Sequence, residues 1–128
     1  MTRLILSVGA VFGLVAVGLG AFGAHGLKDR VAVELLTTWA TAADYLALHA
    51  LALLALGSLS AQRPDSKLLV LAAWCFIVGG LVFSGSLFVL VLTDVRAWGA
   101  VTPIGGTLLI AGWAVLAAAV WRAFPPER

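Results

Sequence analysis

Four long apolar runs, set apart by short polar breaks, divide the chain. Leu4 to Ala24 contains no charged residue, Trp39 to Leu59 is interrupted only by Asp44 and His49, and Leu68 to Leu92 and Pro103 to Trp121 are again uncharged. At ~1.5 Å rise per residue, about 20 helical residues cross the ~30 Å hydrocarbon core of a bilayer. Only helices and closed barrels satisfy every backbone group in lipid, and unbroken runs of this length are helix signals, not barrel ones. The pattern predicts an all-α integral membrane protein, a single domain folded as an antiparallel four-helix bundle with spans over about 4–24, 39–60, 68–92 and 103–122.

The breaks set the ends of these helices. Gln62-Arg63-Pro64-Asp65-Ser66-Lys67 reads as a tight turn in which Pro64 stops the second helix, because proline supplies no N–H and clashes with the preceding turn. Thr93-Asp94-Val95-Arg96 leads to Thr102-Pro103, where Thr102 is expected to cap the fourth helix and Pro103 to occupy its first turn. Between His25 and Thr38 the pattern is mixed, and Val31 to Thr38 reads as an amphipathic lead-in continuous with the second helix. The first run follows Arg3 and resembles a secretory signal, but its apolar core exceeds the usual ~7–15 residues, so a membrane span is expected.

Composition agrees with lipid as the solvent. Apolar residues make up 62% of the 128 positions and charged residues 11%, and a soluble domain this small has too little interior to hide that much apolar surface. The eight Lys and Arg residues are scattered singly, which leaves no nucleic-acid footprint. They serve better as topology determinants. Four spans place Arg3, Arg63, Lys67, Arg122 and Arg128 on one side and Lys28, Arg30 and Arg96 on the other, and the excess of basic residues marks the cytoplasmic side. Both termini are therefore expected inside, with Trp39 and Trp98 at the outer interface and Trp121 at the inner one. Cys75 is the lone cysteine, so neither an internal disulfide nor a multi-cysteine metal site is available.

Small residues mark a packing face. Gly9, Gly13, Ala16, Gly20 and Gly23 follow steps of 4, 3, 4 and 3 along the first helix. A stripe of this kind lets backbones approach and gives van der Waals contact where no hydrophobic force drives helices together. Its neighbour is either another helix of the same bundle or a second copy of the chain. Gly79, Gly80, Gly85, Gly105, Gly106 and Gly112 extend the close-packed pattern to the third and fourth helices.

Polar side chains inside a span are costly and therefore informative. In this topology His25, Asp44, Tyr45, His49, Ser84 and Ser86 all fall in the outer half of the bundle, with His49 near the midplane. Two readings stand. In the structural one, His49 bonds Ser84, Ser86 or a carbonyl, and Asp44 pairs with Lys28, Arg30 or Arg96. In the functional one, the same groups form a small-ligand or proton site. Axial haem ligation by His25 and His49 is disfavoured by a depth difference of more than ~10 Å. No nucleophile–base arrangement, phosphate-binding glycine loop or carboxylate pair occurs. No catalytic residue, metal or cofactor is expected. Four-span proton-coupled exporters carry their membrane acid in the first helix, which here has no charge.

Gly20-Ala21-Phe22-Gly23-Ala24-His25-Gly26-Leu27 resembles the signature of the domain-of-unknown-function family 423, small bacterial inner-membrane proteins of the YgdD type, and animal transmembrane protein 256 is similar. Thr41-Ala42, Tyr45, His49-Ala50-Leu51, Phe83-Ser84-Gly85-Ser86-Leu87, Thr102-Pro103-Ile104-Gly105-Gly106 and Gly112-Trp113 agree with it. Where the chain has Asp44, the family pattern usually has an uncharged polar residue. The resemblance implies a four-helix membrane protein with no known catalytic residue. Two functions compete: a non-enzymatic accessory subunit of a membrane assembly, whose partners are lipid and another membrane protein or a second copy, and a small transporter built on the outer polar groups.

Overall fold

The computed structural model describes residues 1–123. Four α-helices account for most of them: α1 (Thr2–Phe22), α2 (Val33–Gln62), α3 (Lys67–Thr93) and α4 (Thr102–Ala123). A π-helical turn, Gly23–Leu27, prolongs α1, and a short 3-10 turn, Arg96–Ala100, precedes α4. All four helices are long and apolar enough to cross a membrane. Each, with the π-turn counted as part of the first, reaches past its apolar run, because helical geometry persists until a local signal ends it. The tail from Phe124 onward lies outside the described residues.

Those signals are readable. α2 stops at Gln62, two residues before Pro64, as the clash of a proline ring with the preceding backbone requires. Ser66 caps α3, its Oγ accepting from the Leu69 N–H. At the other end of α3, Asp94 adopts a left-handed conformation with φ of 53°, the usual way a helix terminates. Thr102 does not act as the expected cap. It is the first residue of α4, and its hydroxyl turns to Ser86 Oγ, 2.8 Å away on α3.

Residue pairings show that successive helices run antiparallel. Gly9 lies against Ala50 and Leu53 of α2, and Gly57 against Ile5 and Leu6 of α1. Tyr45 stacks on Phe83 and Trp39 on Phe88 across the α2–α3 interface. Gly79 meets Leu109 of α4, and Gly112 meets Phe76 of α3. Helices α2 and α3 supply most of the core, including Leu53, Leu56 and Phe76. Helix α1 covers α2 with Ile5 and Phe12, whose ring lies over Gly80 of α3, while α4 covers α3 with Leu109. Leu14 and Val17 of α1 and Ile110 and Trp121 of α4 face outward, as they should where lipid is the surrounding solvent.

The glycine stripe of α1 is only partly an interface. A Cβ at Gly9 would press on the Ala50 carbonyl and the Leu53 side chain, and one at Gly23 would overlap the Trp39 indole at 2.5 Å. Ala16 is buried beside them. At Gly13, by contrast, a Cβ would sit at an ordinary 3.8 Å from Ala50, and at Gly20 nothing lies within 4 Å. The stripe drifts around the helix, so its members do not share one contact.

Candidate functional site

The π-turn and Trp39 define the far end of the bundle, opposite the termini. Trp39, expected to anchor the outer interface, is packed inside the bundle at that end, with 2% of its surface exposed. Its indole N–H donates to the Leu19 carbonyl at 2.7 Å, and its ring packs between Phe22 and Phe88 at centroid distances of 5.6 and 4.6 Å. Gly23 is what admits the ring, since any side chain there would occupy the same space. An indole N–H is a donor only and needs an acceptor when buried. The Leu19 carbonyl, at the junction where the α-helix widens to a π-turn, provides it.

His49 occupies the middle of α2 and is 1% exposed. Nδ1 lies 2.7 Å from the Tyr45 carbonyl, and Nε2 lies 3.2 Å from Nε1 of Trp113 on α4. The chemistry of the partners assigns the tautomer. A carbonyl only accepts and an indole only donates, so Nδ1 carries the proton and Nε2 presents its lone pair. The ring also packs on Phe76 at 5.3 Å, which in turn contacts Trp113 at 5.1 Å. Tyr45 stacks on Phe83 at 4.6 Å and is partly exposed. Tyr45, His49, Phe83 and Trp113, with Leu48, Gly106, Leu109 and Ile110, line an apolar cleft of about 440 Å³ between α2 and α4.

The remaining candidates do not join His49. Ser86 donates to the Phe83 carbonyl, and its oxygen lies 2.8 Å from the Thr102 hydroxyl, from which it can accept. Ser84 is buried without a hydrogen-bond partner among the described residues. His25 stands exposed in the π-turn. Asp44 faces away from the cleft into a groove between α1 and α2, about 430 Å³ in volume, lined by Gly20, Gly23, Ala24, Ala40 and Ala43 together with Leu36 and Trp39, and by Lys28 at its rim. No ion pair joins Asp44 to Lys28, Arg30 or Arg96 among the described residues. Both ring nitrogens of His49 are engaged by protein groups, and no group of three metal-ligating side chains converges among the described residues.

Trp113 is the residue that the sequence reading missed. It lies about 15 Å into α4 from Pro103, the depth of His49 in α2. A donor-only indole at the level of a neutral imidazole was the available signal.

Residues 19–106, a span that includes the π-turn, Trp39, Asp44, His49, Ser84 and Ser86, match the family described as protein of unknown function (DUF423). The chain belongs to this family. It is 44% identical over 120 residues to a UPF0382 membrane protein of Staphylococcus epidermidis, covering 94% of this chain and 97% of that one. The UPF0382 membrane protein SAB0533 of Staphylococcus aureus is 42% identical with the same coverage. The UPF0382 membrane protein YwdK of Bacillus subtilis is 37% identical, covering 91% and 95%. No solved structure matches the chain. The four apolar helices and the relatives' names agree that this is a membrane protein.

Proposed function

We propose that the protein is a non-enzymatic accessory subunit of a larger assembly in the bacterial plasma (inner) membrane, with both termini in the cytoplasm. One observation carries this reading. The polar group at the centre of the bundle, His49, spends both nitrogens on internal partners, while the one carboxyl within a span, Asp44, is turned outward. A transporter or a proton-handling enzyme needs unsatisfied polar groups along an open interior path, and Ser84, buried and unpartnered among the described residues, lines neither the cleft nor the groove. The orientation draws on the five basic residues at the termini end against three at the far end.

Cross-linking in native membranes, followed by purification in a gentle detergent and native mass measurement, tests the reading. A subunit should carry a second membrane protein in defined ratio. A monomer under every condition, with no cross-linked neighbour, defeats it.

A small transporter is the second reading, and the cleft between α2 and α4 is the feature that favours it. Its polar lining reduces to the Tyr45 hydroxyl once His49 is accounted for. Proton, ion or metabolite flux in reconstituted vesicles, lost in Tyr45→Phe, would establish it over the first.

A further inference from the structure

We infer that the groove between α1 and α2 is a docking site for a membrane helix of another protein, one that carries a Lys or Arg side chain at the depth of Asp44. The inference rests on the accessory-subunit reading and specifies the chemistry of its contact.

The groove combines three features. Its lining is mostly small, Gly20, Gly23, Ala24, Ala40 and Ala43, with Leu36 and Trp39 beside them, and the small residues let a neighbouring helix bring its backbone close, which is how helices associate in lipid. Gly20 in particular has no atom of the chain within 4 Å of where a Cβ would stand. The side of the groove presents the carboxyl group of Asp44, exposed and without an ion-pair or hydrogen-bond partner among the described residues. The third feature is Lys28 at the rim, nearer the membrane surface.

Depth and charge select the occupant. Asp44 lies five residues below Trp39, about 7–8 Å along the helix axis. A carboxyl group facing hydrocarbon is expensive unless a donor meets it, and an Arg or Lys reaching it makes a charge-assisted hydrogen bond. A lipid amine belongs to the headgroup layer and would have to descend past Lys28 to arrive there. A second copy of this chain brings no basic residue in any of its apolar runs, since Lys and Arg occur only at their ends and in the breaks. The complementary helix therefore has a basic residue inside its span and, opposite Lys28, an acidic one near its end.

The test uses the full chain in vesicles with synthetic membrane helices. A leucine–alanine host helix of about 21 residues carries one Lys roughly five residues from its end, or at its centre, or nowhere. Energy transfer between labels reports association. The helix with Lys at the depth of Asp44 should bind at least about tenfold more tightly than the other two, the factor one charge-assisted hydrogen bond supplies. Asp44→Asn should remove that preference. Ala40→Leu, which fills the groove and leaves the carboxyl in place, should remove binding altogether. Equal binding of the Lys-free helix, or an unchanged preference in Asp44→Asn, overturns the inference.

A photo-reactive residue at Ala40 or at Ala114 on α4, in native membranes, separates this inference from the reading beneath it. Cross-linking of a second membrane protein from Ala40, lost in Asp44→Asn, supports both. Cross-linking from Ala114 alone leaves the accessory reading standing and overturns the groove. A second copy captured from Ala40 overturns the groove's assigned occupant, and no cross-link from either position, with a monomer by native mass measurement, ends both.

Discussion

The indole N–H of Trp113 points at the Nε2 lone pair of His49 across 3.2 Å, tying α4 to the centre of α2. Helix α4 otherwise packs mainly on α3, and this bond reaches over the cleft to join it to the middle of α2. It also requires the neutral ring, because a proton on Nε2 would face the indole proton.

Removing either partner should therefore cost a similar, modest amount. Interhelical hydrogen bonds in membranes average ~0.6 kcal/mol and reach about 1.7. Trp113→Phe keeps the packing on Phe76 and removes the donor, and His49→Leu removes the acceptor. Unfolding in mixed detergent should show that the double variant is no less stable than the weaker single one. His49→Gln, which also donates and accepts, should recover part of the loss. Strict additivity of the two single variants would mean that the bond contributes nothing.

Neighbouring glycines on α4 offer an internal control. A Cβ at Gly105 would meet the backbone N and Cα of Phe83, which cannot move without shifting α3, whereas a Cβ at Gly106 would lie 3.7 Å from the Phe83 ring. Overpacking costs about 1–3 kcal/mol. Gly105→Ala should lower the thermal midpoint in detergent clearly, and Gly106→Ala should leave it near that of the parent. Equal effects would show that the helix crossing is softer than described.

The four helices were legible because their length and lack of charge leave few alternatives, and Pro64 and Pro103 mark the ends that the structure shows. The side chains were less so. Trp39 reads as an interfacial anchor from its position beside the polar break. It is buried because the π-turn at Gly23 opens a slot beside α1, and a widened helix leaves no periodic signature in the residues. The stripe from Gly9 to Gly23 has helical spacing, yet spacing alone does not say how far the neighbouring helix follows it. His49, Ser84 and Ser86 fall in one depth range, but depth is one coordinate, and rotation about each helix axis sends Ser86 to Thr102 and His49 to Trp113.

That difference within the stripe is measurable. Gly23→Ala would force the Trp39 ring out of its slot and break the bond to Leu19, so destabilisation of about 1–3 kcal/mol is expected, with a change in tryptophan emission as the indole leaves its site. Gly13→Ala and Gly20→Ala should be nearly silent in stability, since a Cβ fits at both. A silent Gly23→Ala would mean that the indole does not occupy the slot.

Orientation rests on a small difference in basic residues and so should be easy to disturb. Arg63, whose guanidinium donates to the Ala123 carbonyl at 2.9 Å, ties the α2–α3 turn to the end of α4 and places Arg122 beside it. These residues thus act as one cluster on the side that holds the termini. A reporter fused after Arg128 should be active only in the cytoplasm. Two lysines placed between Asp94 and Trp98 would equalise the count at five against five, and insertion should become mixed or inefficient. Adding the same two lysines next to Lys67 instead should leave topology unchanged. An external C-terminal reporter in the parent chain would reverse the assigned orientation while leaving the four helices and their packing as described, and it would move Asp44 to the cytoplasmic half of the membrane.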